Sequence, residues 1–191
     1  MTRIAKRSPG FTIVELMVTV AVLAVLTALA VPSFNDFFDR GRVRGAADEV
    51  LSLVANARAE AVENDLDVAL AFVDNGVDPW CVGANSAAAP VGGAAALGAA
   101  ACDCTVANAC MVAAQPLVMT SADYEDVEIG ALPAAMTFDG MLGAVVPLGT
   151  RTVTLTSPSG KYDLEVQVNG LGHARLCTPD GKPRMSGVAE C

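Results

Sequence analysis

The run from Phe11 to Val31, FTIVELMVTVAVLAVLTALAV, constrains this chain more than any other stretch. Apart from Thr12, Glu15, Thr19 and Thr27 it is apolar. Its roughly 21 residues suffice for one helical crossing of a hydrocarbon core. The leader before it, MTRIAKRSPG, carries Arg3, Lys6 and Arg7 and no acid. Cations on that side keep the leader cytoplasmic and send the C-terminus outward. A cleaved secretory signal is the rival reading, with Ala28-Leu29-Ala30 as its small-x-small site. Glu15 argues against it. A carboxylate in an apolar helix costs about 2.5–3.5 kcal/mol near the helix centre and less towards an end. A disposable signal has no use for that cost.

The order Gly10-Phe11-Thr12-Ile13-Val14-Glu15, with Pro32 closing the apolar run, resembles the cleavage and methylation site of type IV prepilins and pseudopilins. The resemblance implies that a prepilin peptidase cuts between Gly10 and Phe11 on the cytoplasmic side, and that the new Phe11 amine is N-methylated. Glu15 then becomes the fifth residue of the mature chain. Pro32 becomes the twenty-second, where such pilins carry a helix-kinking proline. The implied partners are other pilin or pseudopilin subunits, the peptidase and an inner-membrane assembly platform. The implied location is the inner membrane, with one crossing and a periplasmic C-terminal domain, followed by a pilus or pseudopilus. The chemistry of Glu15 fits assembly, because a buried carboxylate requires a partner. The Phe11 amine of a neighbouring subunit is the expected one, and such a pair rewards correct axial register.

Loss of the leader's three cations takes the formal charge from −9 to −12. An acidic surface repels nucleic acid and does not seek anionic lipid. The sequence past the long helix is sufficient for one small domain.

All six cysteines, Cys81, Cys102, Cys104, Cys110, Cys177 and Cys191, follow the apolar run. Outside the cytoplasm an even count predicts disulfides. Cys177 and Cys191 lie close together and far from the rest, so they are expected to pair. Their loop of roughly 15 residues is worth about 3 kcal/mol in the chain-entropy model. A Cys102–Cys104 bond would be strained, so Cys81 is expected to pair within the 102–110 group, with the choice open. Zinc sites favour C-x2-4-C pairs, and the spacing of these four cysteines fits that poorly.

Beyond Pro32, apolar residues fall at Val43, Ala47, Val50, Leu51, Val54, Ala57, Ala61 and Val62 with helical period. This predicts that residues 33–64 continue the helix of residues 11–32 as an amphipathic half lying on a sheet. Gly41 and Gly45 weaken it locally. Asn64-Asp65 ends it, at a total of about 75–80 Å. Arg40, Arg42 and Arg44 are candidates for lipid head groups or a neighbour's acids, or a solvated face. Strands are expected at Val68–Val73, Trp80–Val82, Ala113–Met119, Glu125–Ile129, Ala135–Phe138, Thr152–Thr156, Tyr162–Val168 and Gly172–Cys177. Turns are expected at Asp74–Gly76, Asp139-Gly140, Ser157–Gly160 and Asn169-Gly170. Ala84–Ala101 reads as an Ala/Gly-rich loop. The fold class is α+β: a cleaved leader (1–10), a long helix, and a disulfide-bridged antiparallel β domain (65–191).

That order, with Leu53–Ala61 at the helix end, Phe138-Asp139-Gly140 and a final Gly-x-x-Arg, resembles the FimT/FimU/GspH group of minor pilins and pseudopilins. Some FimT-like proteins bind DNA through a C-terminal Gly-Arg-x-Arg. The matching positions here are Gly172-His173-Ala174-Arg175, with His173 in place of the first arginine. Few phosphates could be neutralised there, so nucleic-acid binding is not expected. With one histidine and no H-E-x-x-H, G-x-S-x-G or P-loop, neither catalysis nor a cofactor is expected. Three readings stand: a minor pilin or pseudopilin that primes or caps a filament, a FimT-like DNA receptor, and a major pilin.

Overall fold

The computed structural model describes residues 10–74, 80–86, 102–130, 133 and 136–191, with the side chains at 30–33 outside that description. The leader at 1–9, the turn residues 75–76, the loop at 87–101 and any role of the Pro32 side chain therefore lie outside the described residues.

One helix, α1 (Ile13–Asn64), contains both the apolar and the amphipathic stretches. The chain divides into two compact units, residues 1–38 and 39–191. In the first unit the large apolar side chains from Phe11 to Leu29 are exposed, as are Phe34, Phe37 and Phe38. Thr19 and Thr27 return their hydroxyls to carbonyls of the preceding turn, at Leu16 and at Leu23 and Ala24. These bonds satisfy the polar atoms without any partner outside the helix.

In the second unit, Val43, Ala46, Ala47, Val50, Leu53, Val54, Ala57 and Ala61 form the buried face of α1. Leu51 is half-buried. Val62, expected in this stripe, is exposed; Ala61 already occupies the inward position and the next residue lies about 100° further round the helix. Gly45 is a close-packing position, since a Cβ there would stand 2.6 Å from the Tyr124 ring. At the helix end Asp65 takes φ 52° and Leu66 N–H donates to the Ala61 carbonyl at 3.0 Å. That is the left-handed cap that reverses a chain.

Among the described residues the strands form two five-stranded sheets and a two-stranded ribbon, in keeping with the expected, mainly antiparallel β domain. In the first sheet, β1 (Val68–Val73) pairs with β2 (Cys81–Ser86) from Val68↔Ser86 to Val73↔Cys81. Met111–Val112 is β3 and Gln115–Pro116 is β4, and these two form the ribbon. β5 (Val118–Thr120) edges β2. β6 (Glu128–Ile129) belongs to the second sheet. β7 (Met136–Phe138) flanks β1, and β8 (Val145–Val146) flanks β7. The second sheet is built on β9 (Arg151–Thr156) and β10 (Asp163–Val168), followed by β11 (Ala174–Thr178) and β12 (Ala189–Glu190). β12 runs parallel to β11. Period-two alternation sends Val153, Leu155, Leu164, Val166 and Val168 inward. They share one core with the α1 face and with Leu70, Val82 and Phe138.

Several expected strands are revised. Ala113–Met119 is not one strand, because Ala113 and Ala114 adopt φ of 48° and 63° and fold β3 back on β4. Pro116 sits in that ribbon, where its missing donor costs no central ladder bond. Glu125–Ile129 contracts to β6, since Asp126 takes φ 60°. The second strand extends through Ala84, Asn85 and Ser86 into the expected loop. The last long strand begins at Ala174 because Gly172, at φ 80°, belongs to the turn.

Candidate assembly and processing sites

Gly10 and Phe11 lie exposed just ahead of α1. Thr12 and Glu15 exchange bonds across the first turn. Glu15 N–H donates to Thr12 Oγ1 at 3.2 Å, and Thr12 N–H reaches Glu15 Oε2 at 3.5 Å. This is a capping box, with threonine ahead of the helix and glutamate at its third position. The carboxylate also faces the positive end of the helix dipole. Sequence reasoning missed this role, although Thr12-x-x-Glu15 ahead of an apolar run is its signature.

At the other end of α1 three segments meet. The Asp139 carboxylate accepts the N–H groups of Met141 and Leu142, and Gly143 N–H returns to the Asp139 carbonyl. Arg58 Nε donates to the Gly143 carbonyl at 3.0 Å. Val145 N–H donates to the Gly170 carbonyl at 3.0 Å. A Cβ on Gly172 would overlap the Gly143 carbonyl. A Cβ on Gly140 would press on the backbone of Asp65 and Leu66, and Asp67 accepts the Gly140 N–H. The two glycine-bearing turns thus lock the end of α1 to both sheets.

The six cysteines form three bridges. Cys81–Cys104 and Cys102–Cys110 lie side by side over β2, and Cys177–Cys191 ties the tail to β11. A Cβ on Gly83 would overlap Cys110 Sγ and approach Cys104 Cβ at 3.1 Å, so glycine makes room for the paired bridges. Between them the Thr105 hydroxyl and N–H both donate to Asp103, holding its carboxyl below the usual range. With every one of these sulfurs oxidised, no thiolate remains as a zinc ligand. Glu165 touches Cys191 Sγ at 3.4 Å, a contact without a hydrogen bond because a bridged sulfur has no proton.

Arg175 points along the domain's own surface. Its Nε and one terminal nitrogen hold Gln167 Oε1 at 3.2 and 2.8 Å, and the same nitrogen reaches the Cys191 carbonyl at 3.1 Å. His173 is exposed, with its backbone N–H on Asn169 Oδ1. The arginines near the start of the second unit also find partners within their own chain. Arg40 lies over the Tyr162 ring, Arg42 meets Glu125, and Arg44 meets Asp48. Tyr124 donates to Glu49 at 2.8 Å. Burial, then the bond and charge of Glu49, push its phenol up to about 12.

Residues 5–31 match the family model of the prokaryotic N-terminal methylation motif. Residues 46–172 match that of type II transport protein GspH. A fimbrial protein of Pseudomonas aeruginosa is 38% identical over 58 residues, covering 30% of this chain and 38% of that protein. The type IV major fimbrial protein FimA of Dichelobacter nodosus is 38% identical over 55 residues, covering 29% and 32%. The chain thus spans about a third of the length of these relatives. Among solved structures, the type IV minor pilin FimU of Pseudomonas aeruginosa aligns at 18% identity, with a TM-score of 0.46 over 73% of this chain and 91% of that one.

Proposed function

Given that the chain belongs to the GspH family of type II transport proteins, we propose that it is a structural subunit that primes or caps assembly of a type IV pilus or a type II secretion pseudopilus. The observation that carries this reading is the uneven burial along α1. Its first half exposes every described large apolar side chain, while its second half is the spine of a domain with its own core. An apolar helix of this kind needs a bilayer or a bundle of like helices. The methylation motif supplies the route from one to the other. A prepilin peptidase cuts between Gly10 and Phe11, the helix waits in the inner membrane with the domain in the periplasm, and an assembly platform passes it into the filament. Structural subunits of this class work by packing and not by catalysis.

A chain lacking residues 1–36 tests this reading. It is expected to be soluble and monomeric, with its disulfides intact, and to fail to support assembly in a deletion strain. Restored piliation or secretion by that truncated domain would reduce the helix to an anchor and overturn the reading.

A further inference from the structure

We propose that the Glu165 carboxylate shields the Cys177–Cys191 bridge from reduction by anionic thiols, and so keeps the tail fastened whether or not the chain stands in a filament. Glu165 lies directly opposite Cys177 in the β10–β11 ladder, so the two side chains share one face of the second sheet. A carboxylate oxygen is 3.4 Å from Cys191 Sγ. That carboxylate and the two sulfurs all lie within 4.8 Å of one another. The same oxygen accepts the Gln167 amide N–H at 2.9 Å, a neutral partner. Arg175, across the ladder from Gln167, gives its guanidinium to Gln167 Oε1 and to the Cys191 carbonyl.

The two sulfurs differ in access. Cys177 is 1% exposed, whereas Cys191 is open to solvent. A thiolate therefore reaches the bridge at Cys191 Sγ. Its attack forms a mixed disulfide on Cys191, breaks the Cys177–Cys191 bond and sends the electron pair to Cys177 Sγ as a thiolate. A second thiolate then attacks the reductant's sulfur in that mixed disulfide. It leaves with the first as a free disulfide and releases Cys191, and both cysteines take protons from water. Glu165 opposes the first exchange twice. Its charge repels an anionic attacker at Cys191. It also disfavours the Cys177 thiolate, which is already penalised by burial, and a leaving thiol of raised pKa departs more slowly. What the bridge protects is slight by itself, since β12 is two residues long and meets β11 at two pairs.

The test is the rate of reduction of each bridge in the oxidised full chain, quenched by alkylation and read by peptide mass. Two thiols are compared at neutral pH: glutathione, which is anionic, and cysteamine, which carries an ammonium group. Glu165→Gln removes the charge and keeps the shape. It should speed the reduction of Cys177–Cys191 by glutathione about fivefold, the worth in water of a unit charge about 4 Å away, and by cysteamine less. Glu165→Thr, a residue type suited to a strand, should behave alike. Cys81–Cys104 and Cys102–Cys110 should keep their parent rates in both variants. An unchanged rate at Cys177–Cys191 would overturn the shielding. So would an equal rise with the two thiols, or a matching rise at the other bridges, since either traces the effect to a loosened domain.

Discussion

The carbonyl oxygen of Gly143 occupies the space that a Cβ on Gly172 would fill. Arg58 holds that carbonyl from the helix side, so one oxygen fixes α1, the turn after β7 and the turn before β11 together. Gly172 sits at φ 80°, where an L side chain is strained as well as crowded. Gly172→Ala is therefore expected to destabilise the domain by about 2–4 kcal/mol, from left-handed strain plus overlap. Urea unfolding checks this; an unchanged midpoint would show that the turns can separate without cost.

Gly83 does the same for the paired bridges. Gly83→Ala is expected to push Cys110 off its partner and leave free thiols at Cys102 and Cys110. Alkylation without reduction, read by mass, should label that variant and not the parent. Cys177→Ser with Cys191→Ser should leave the core intact and cost about 3 kcal/mol, the entropy of a loop of that size.

The Tyr124 phenol is raised from 10.0 to about 12 by burial first and by Glu49 second. Folding therefore tightens its hold on the proton. That stabilisation is complete below the unfolded value near 10 and fades as pH climbs towards 12. Glu49→Gln should lower the tyrosinate midpoint without returning it to 10, because burial remains. An unmoved ultraviolet titration would show that Glu49 has no hold on the phenol.

Glu15 caps the start of α1, and that role must be separated from the one proposed for it in assembly. Glutamine also serves in a capping box, whereas its neutral amide cannot form a salt bridge with a cationic amine. Glu15→Gln is expected to keep the start of α1 yet enter filaments as poorly as Glu15→Ala. Normal incorporation of Glu15→Gln would leave the cap as the whole reason for this carboxylate.

The parts of the fold legible in the sequence were those with a local cause. The end of α1 at Asn64 follows from polar residues after a long period. β9 and β10 follow from strict alternation around Ser157–Gly160. What stayed hidden has a non-local cause. Ala113-Ala114 carries no Asn-Gly signature, so a turn with two positive φ values looked like strand. β12 is two residues long and is held by the Cys177–Cys191 bridge and the Arg175 bond to the last residue. The close approach of Cys110 and Cys104 to Gly83 is a contact between segments distant in sequence, with no local mark. Thr12-x-x-Glu15 is legible in principle, because a threonine and a glutamate three apart ahead of an apolar run are the signature of a capping box.

The central claim is that this chain is cut, methylated and packed into a filament through α1. Intact-mass analysis of the chain recovered from sheared filaments tests it most directly. The expected polypeptide starts at Phe11, carries one added methyl group on that residue and has all six cysteines oxidised. A start after Ala30, an uncut leader, or the chain's absence from filaments that otherwise assemble would contradict it.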